Sequence, residues 1–168
     1  TVSEPGTSVS GALQDKQGAL LDVAKLIDAT HNQFQVVVNG LPRVLVSIVP
    51  SNDVTGKDAA ERLTNLCSAI QKKVREKARA ASGPKALKDF ICETHDGSHI
   101  KLTSGEGGEA SSVRVLPGSR DAASKLKLGT LNGGLEIDAV AVFRPAESPN
   151  PGTLTSQVFE QKGLLDKI

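Results

Sequence analysis

The chain has 168 residues, enough for one domain with a buried core, and its 38% hydrophobic and 23% charged residues exclude wholesale disorder. A net charge of +1 gives no reason to expect a polyanionic partner. With four Phe and no Tyr or Trp, the core must be aliphatic, and the stacking of bases or sugars on aromatic faces is disfavoured.

Residues 1–17, rich in Gly, Ser, Thr and acid, read as a flexible lead-in. Leu20, Val23, Ala24 and Ile27 then recur at helical spacing and predict one or two helical turns. Residues 33–38 alternate with Phe34, Val36 and Val38 on one side. Residues 43–49 alternate again with Val44, Val46 and Ile48 inward. With Asn39-Gly40-Leu41-Pro42 between them, the two runs predict a β-hairpin. A long amphipathic helix follows. Thr55 is its expected cap, with Asp58 completing a capping box. Ala59, Leu63, Leu66, Cys67, Ile70, Val74 and Ala78 form its apolar stripe, and Gly83-Pro84 its stop.

A second hairpin is expected over 89–103 around Asp96-Gly97-Ser98. A three-residue loop sets Cys92 opposite Leu102, Thr94 opposite Ile100 and Glu93 opposite Lys101. A two-residue loop would instead put Glu93 against Ile100. The first register keeps one face apolar and pairs opposite charges, so it is preferred. A Gly/Ser/Glu loop then leads to a short strand over 112–116. Ser119 is placed to cap a brief helix carrying Ala122, Ala123 and Leu126, with Gly129 as its stop. A last strand is expected over about 136–143 after Asn132-Gly133-Gly134. These elements make an α+β fold: a mostly antiparallel sheet of about five strands in hairpins, with one long and one or two short helices. The domain spans 18–146, and 147–168 reads as a Pro-containing linker and the start of a following segment. The chain has no methionine, even at position 1, which fits a processed product or an excised fragment; with such linker-like ends it reads as a domain cut from a longer structural protein.

No residues assemble into recognisable chemistry. His95 and His99 are cross-strand neighbours with Glu93 two residues from His95, a set that could hold a metal loosely but reads as a solvated hairpin tip. His31 stands alone. Cys67 and Cys92 occupy inward positions without a neighbouring base and read as buried free thiols, although a disulfide between them stays open. The basic cluster Lys72, Lys73, Arg75, Lys77 and Arg79 complements the negative end of the long helix, or offers a phosphate or lipid-headgroup patch. Residues 104–109 carry two glutamates and lead into a strand, which fits neither phosphate-binding glycine motif. No catalytic residue, metal ligand or cofactor is therefore expected, and the chain does not read as an enzyme. No apolar run approaches the ~20 residues of a membrane span.

The order of the elements is itself a signal. A strand ending at Asn39-Gly40, a second strand, a long helix and a hairpin are followed by Leu102-Thr103-Ser104-Gly105-Glu106-Gly107-Gly108-Glu109-Ala110-Ser111-Ser112-Val113-Arg114-Val115. Ala122-Ala123-Ser124-Lys125-Leu126-Lys127-Leu128-Gly129, Asn132-Gly133-Gly134 and Phe143-Arg144-Pro145 come after. This series, over roughly 26–145, resembles the surface domain inserted in sheath proteins of contractile phage tails and related injection systems. More loosely it is similar to repeats of flagellin and flagellar cap proteins. The sheath resemblance implies an outward-facing structural domain of a helical tube, in a virion tail or a cytoplasmically assembled contractile particle. Its implied partners are other copies of the parent sheath protein and, through other domains, the inner tail tube, with no nucleic acid and no membrane insertion. The long basic helix departs from that pattern. The competing reading is a receptor- or glycan-binding surface module in contact with a cell surface.

Overall fold

The computed structural model describes residues 4–78, 83–108 and 111–139. The fold is α+β. Among the described residues, seven strands form two antiparallel sheets, one of four and one of three, packed with several helices of which one is long.

The local elements follow the apolar periodicity. Helix α1 (Val23–Leu26) is a single turn capped by Asp22, whose carboxylate accepts the Ala24 N–H, and it buries Val23, while Ile27 is buried just beyond its end. Strands β2 (Gln33–Val38) and β3 (Val44–Ser47) pair with Phe34 opposite Val46 and Val36 opposite Val44. All four side chains are buried. The turn between them starts with Asn39 and Gly40 at φ 51° and 72°, a conformation that Asn and Gly tolerate better than other residues. A one-turn helix α2 (Pro50–Asp53) leads to α3 (Ala59–Glu76), which buries Leu63, Leu66, Cys67, Ile70 and Val74.

Two boundaries of α3 differ from expectation. Asp58, not Thr55, caps the helix, accepting the Glu61 N–H at 2.8 Å. The cause is Gly56, whose φ of 151° no helix accommodates, so the helix cannot begin before it. The C-terminus comes before Gly83-Pro84: Lys77 and Ala78 donate to Val74 and Arg75, three-residue bonds that tighten and close the last turn. Pro84 instead precedes the one-turn helix α4 (Lys85–Lys88).

The second hairpin has the three-residue loop. Strands β4 (Ile91–His95) and β5 (His99–Thr103) set Cys92 against Leu102, Glu93 against Lys101, Thr94 against Ile100 and His95 against His99. Strand β6 (Val113–Pro117) joins β2 with Val115 opposite Val36, giving the order β3-β2-β6. The expected helix at 122–126 is a set of turns. Asp121 rather than Ser119 organises it, accepting the N–H groups of Gly118, Ala123 and Ser124, while the Ser119 hydroxyl donates to Gln33 Oε1. Ala122, Ala123, Leu126 and Leu128 are nonetheless buried there. Gly129 does not stop a helix but precedes a 3-10 turn, Thr130–Asn132.

The main departure is at the N-terminus. Within the expected lead-in, Thr7–Val9 forms strand β1 in the middle of the larger sheet, between β5 and β7 (Leu135–Ile137), in the order β4-β5-β1-β7. Ser8 is fully buried between Leu102 and Glu136, and its hydroxyl has no hydrogen-bond partner among the described residues. Leu13, also within 1–17, lies in the core. The end of the expected last strand, the linker and following segment at 147–168, Arg79, Glu109 and residues 1–3 lie outside the described residues. No helix among the described residues is long and apolar enough to cross a membrane.

Candidate functional site

Part of the motif that carried the resemblance, from Asn39 and from the loop after β5, meets in one place. Asn39 Oδ1 accepts from the Ser111 hydroxyl at 2.9 Å and the Ser112 N–H at 3.1 Å, and Asn39 Nδ2 donates to the Glu106 carbonyl at 3.0 Å. The Ser111 hydroxyl shares its proton with that same carbonyl and accepts the Gly6 N–H at 2.8 Å. Ser104 Oγ donates to the Glu106 carbonyl and accepts the Glu106 N–H, which folds the loop back on itself. Gly105 lies so close to α4 that a Cβ there would sit 2.6 Å from the Asp89 carbonyl carbon and also collide with the Lys85 carbonyl oxygen. The glycine is needed for close approach of two backbones, and its N–H donates to Ala86 O. This joint ties the β2 turn, the N-terminus and the loop after β5 together. Its polar groups bond to one another, and Asn39, Glu106 and Ser111 also line a hollow of about 310 Å³ together with Leu41, Pro84 and Ala86.

Among the described residues the histidines are not arranged as a catalytic relay. His31, expected to stand alone, sits in a tight turn where its Nδ1 lies 3.1 Å from Asp28 Oδ1 and 3.0 Å from Thr30 Oγ1. In a Ser-His-Asp relay the carboxylate and the hydroxyl use opposite ring nitrogens, whereas here both crowd the same one. Bonds from the Thr30 hydroxyl and N–H, then from His31, hold the Asp28 carboxyl down to about 2. At the hairpin tip His95 and His99 stand edge-to-face with centroids 6.2 Å apart. His95 Nε2 lies 3.3 Å from Asp96 Oδ2, and His99 Nδ1 lies 3.2 Å from Ser98 Oγ. Among the described residues no three His, Cys, Asp or Glu side chains converge as a metal-ligand set.

The basic cluster divides. Lys73 pairs with Asp53 of α2 at 3.2 Å, and Arg75 Nε donates to Phe90 O at 2.7 Å, so both cations fasten α3 to its neighbours. Lys72 and Arg75 line a shallow hollow with Ser68, Gln71 and Glu76, where the glutamate dilutes the positive charge. Cys67 and Cys92 are both free and buried, and burial pushes the Cys92 thiol up, which argues against a nucleophile at rest.

A cluster that sequence reasoning missed lies between β6 and β7. Arg114 forms a two-pronged pair with Asp138, 2.7 Å on one prong, and Glu136 Oε2 accepts the Val115 N–H at 2.9 Å. The Arg114 guanidinium holds the Asp138 carboxyl below its ordinary value. Arg114, Glu136, Asp121 and Asn132 line a cleft of about 420 Å³ that also takes in Leu131 and Ala123. Each of those polar groups already has an internal partner: Asp121 caps its turn, and Asn132 Nδ2 donates to Leu128 O. The cleft therefore has the size of a ligand site, and the charged side chains that line it, Arg114, Glu136 and Asp121, are engaged with the protein's own groups. The available signal was the charge alternation Val113-Arg114-Val115 against Glu136 and Asp138, but that β6 lies beside β7 was not legible.

Compared with known proteins, the chain matches no family model and no curated protein.

Proposed function

We propose that this chain is a non-catalytic structural domain of a helical tubular assembly, the outward-facing domain of a contractile tail sheath protein. The observation that carries the reading is the Asn39 joint: Asn39, Ser104, Gly105, Glu106 and Ser111, some of the residues whose order along the chain suggested the sheath resemblance, converge in space as a structural lock. A signature made of fold-locking residues suits a domain whose role is to hold shape. The engaged polar groups of the Arg114 cleft and the histidine turns support the same conclusion, since neither offers a nucleophile with a free base. Exposed Leu131, Leu135 and Ile137 provide apolar surface for a neighbouring subunit. The partners on this reading are other copies of the parent protein and, through its other domains, an inner tube. The location would be a virion tail or a contractile particle assembled in the cytoplasm.

Negative-stain electron microscopy of the full-length parent, with and without residues 1–168, tests the proposal. Regular tubes from both proteins are the expected result for a peripheral domain. Tubes from the intact parent alone would assign lattice contacts to the domain. A parent that never assembles would overturn the reading.

A further inference from the structure

We propose that Cys67 and Cys92 are a latent disulfide, which a small-molecule disulfide oxidant converts into a covalent staple between α3 and β4. Cys67 lies on the buried stripe of α3 and is 2% exposed, and Cys92 lies on the inner face of β4 and is 5% exposed. Helix α3 packs on β4, and both cysteines lie on the buried faces of those two elements. Their alignment is held by the rest of the interface. Gln71, one turn beyond Cys67, accepts the Cys92 N–H through Oε1 at 3.1 Å. Arg75, a further turn along, donates to the carbonyl of Phe90 at 2.7 Å. The same helix face is thus stitched to the strand backbone beside the cysteines, whose sulfurs would close to the ~2.05 Å of a covalent bond.

The chemistry is two successive exchanges. The thiol first reached by a local opening loses its proton and attacks one sulfur of the oxidant RSSR, expelling RS⁻ and leaving a mixed disulfide. The second cysteine, deprotonated in turn, attacks the cysteine sulfur of that mixed disulfide and expels the other RS⁻. Two cysteine thiols are oxidised by two electrons, RSSR is reduced to two RSH, and the two cysteine protons end on the leaving thiolates. Burial keeps the Cys92 thiol protonated, so the staple forms slowly and, once formed, is shielded from reductant. This inference is independent of the assembly reading.

The test is incubation of the folded chain with oxidised glutathione below its melting temperature, followed by acid quenching, denaturation, thiol labelling and intact mass. The expected result is joint loss of both free thiols, a monomer two hydrogens lighter with no glutathione retained, and a Tm raised by roughly 10 °C. Dithiothreitol should reverse all three. A lasting glutathione adduct, an intermolecular dimer or two thiols still free in the oxidised sample would each overturn the proposal. In Cys92→Ser the oxidant is expected to leave Tm unchanged, and a rise there would also overturn it. The wild-type measurement decides the matter even where that variant folds poorly.

Discussion

At the Asn39 joint and at the Asp28 turn, a short side-chain oxygen accepts backbone N–H and hydroxyl donors, yet the two sites differ in reach and exposure. Asn39 gathers Ser111, Ser112 and Glu106 from 67 to 73 positions away, and Ser111 in turn accepts the Gly6 N–H from 105 positions away. Ser111 is only 2% exposed. The Asp28 carboxylate reaches no further than Thr30 and His31, and every bond it makes is exposed. In water a lost partner is replaced by solvent; in a partly buried joint the remaining donors stay unsatisfied. The same bond therefore closes the fold at one site and shapes a single turn at the other.

Gly105→Ala is the strongest way to break this comparison, because its Cβ would meet backbone atoms of α4 that cannot swing aside. The expected cost is about 3–4 kcal/mol in denaturant unfolding. A cost below about 1 kcal/mol would show that α4 yields and that the joint is not rigid. Asn39→Gly comes next. Glycine tolerates the φ of 51°, so the substitution removes the side-chain hydrogen bonds without backbone strain and adds only the cost of glycine's freer unfolded chain. It leaves the Ser112 N–H without its side-chain acceptor and should cost about 2 kcal/mol, with faster amide exchange at Ser112. An unchanged Ser112 exchange rate would mean that the bond does not protect that amide.

The contrast between near and distant partners also explains what was legible in the sequence. The β4–β5 register could be derived because a three-residue loop alone keeps Cys92, Leu102, Thr94 and Ile100 on one face and sets Glu93 against Lys101. The stripe of α3 and the β2–β3 hairpin were legible for the same reason, since their partners are close in sequence. Strand β1 was not. Thr7–Val9 offers one apolar residue in a Gly/Ser-rich stretch, and its partners are Leu135–Ile137 and residues of β5 more than 90 positions away. Composition there is the same for a flexible tail and for a strand held by its neighbours. The division of the strands between two sheets depends on that insertion and was hidden with it. At the candidate site, Asn39, Ser104, Gly105 and Ser111 were visible as turn residues, but the joint they form required the fold to bring them together. At 122–126 an apolar pattern suggested helix, and Asp121 overrode it by drawing three N–H groups into turns.

The Asp28 turn should give the smallest effect and a pH-dependent one. Its carboxyl titrates at about 2 in the folded chain, below the ordinary 3.8 expected when the chain unfolds. Below both values the carboxyl is protonated in both states and contributes nothing. As pH rises past 2 the folded chain gives up the proton first, so the unfolded state binds more protons and stability grows until pH exceeds about 4. The contribution is therefore present at neutral pH and lost as pH falls from about 4 to 2. Asp22, Asp89 and Asp138 are lowered in the same direction by Arg62, Lys85 and Arg114, so the wild type should lose stability across this window through several carboxyls at once. Asp28→Asn should flatten the acid limb of a Tm-against-pH profile slightly while leaving Tm at pH 7 lower than wild type by less than Asn39→Gly does. An equal or larger loss from Asp28→Asn would show that local, exposed bonds matter here as much as distant, buried ones, and would dissolve the distinction between the two sites.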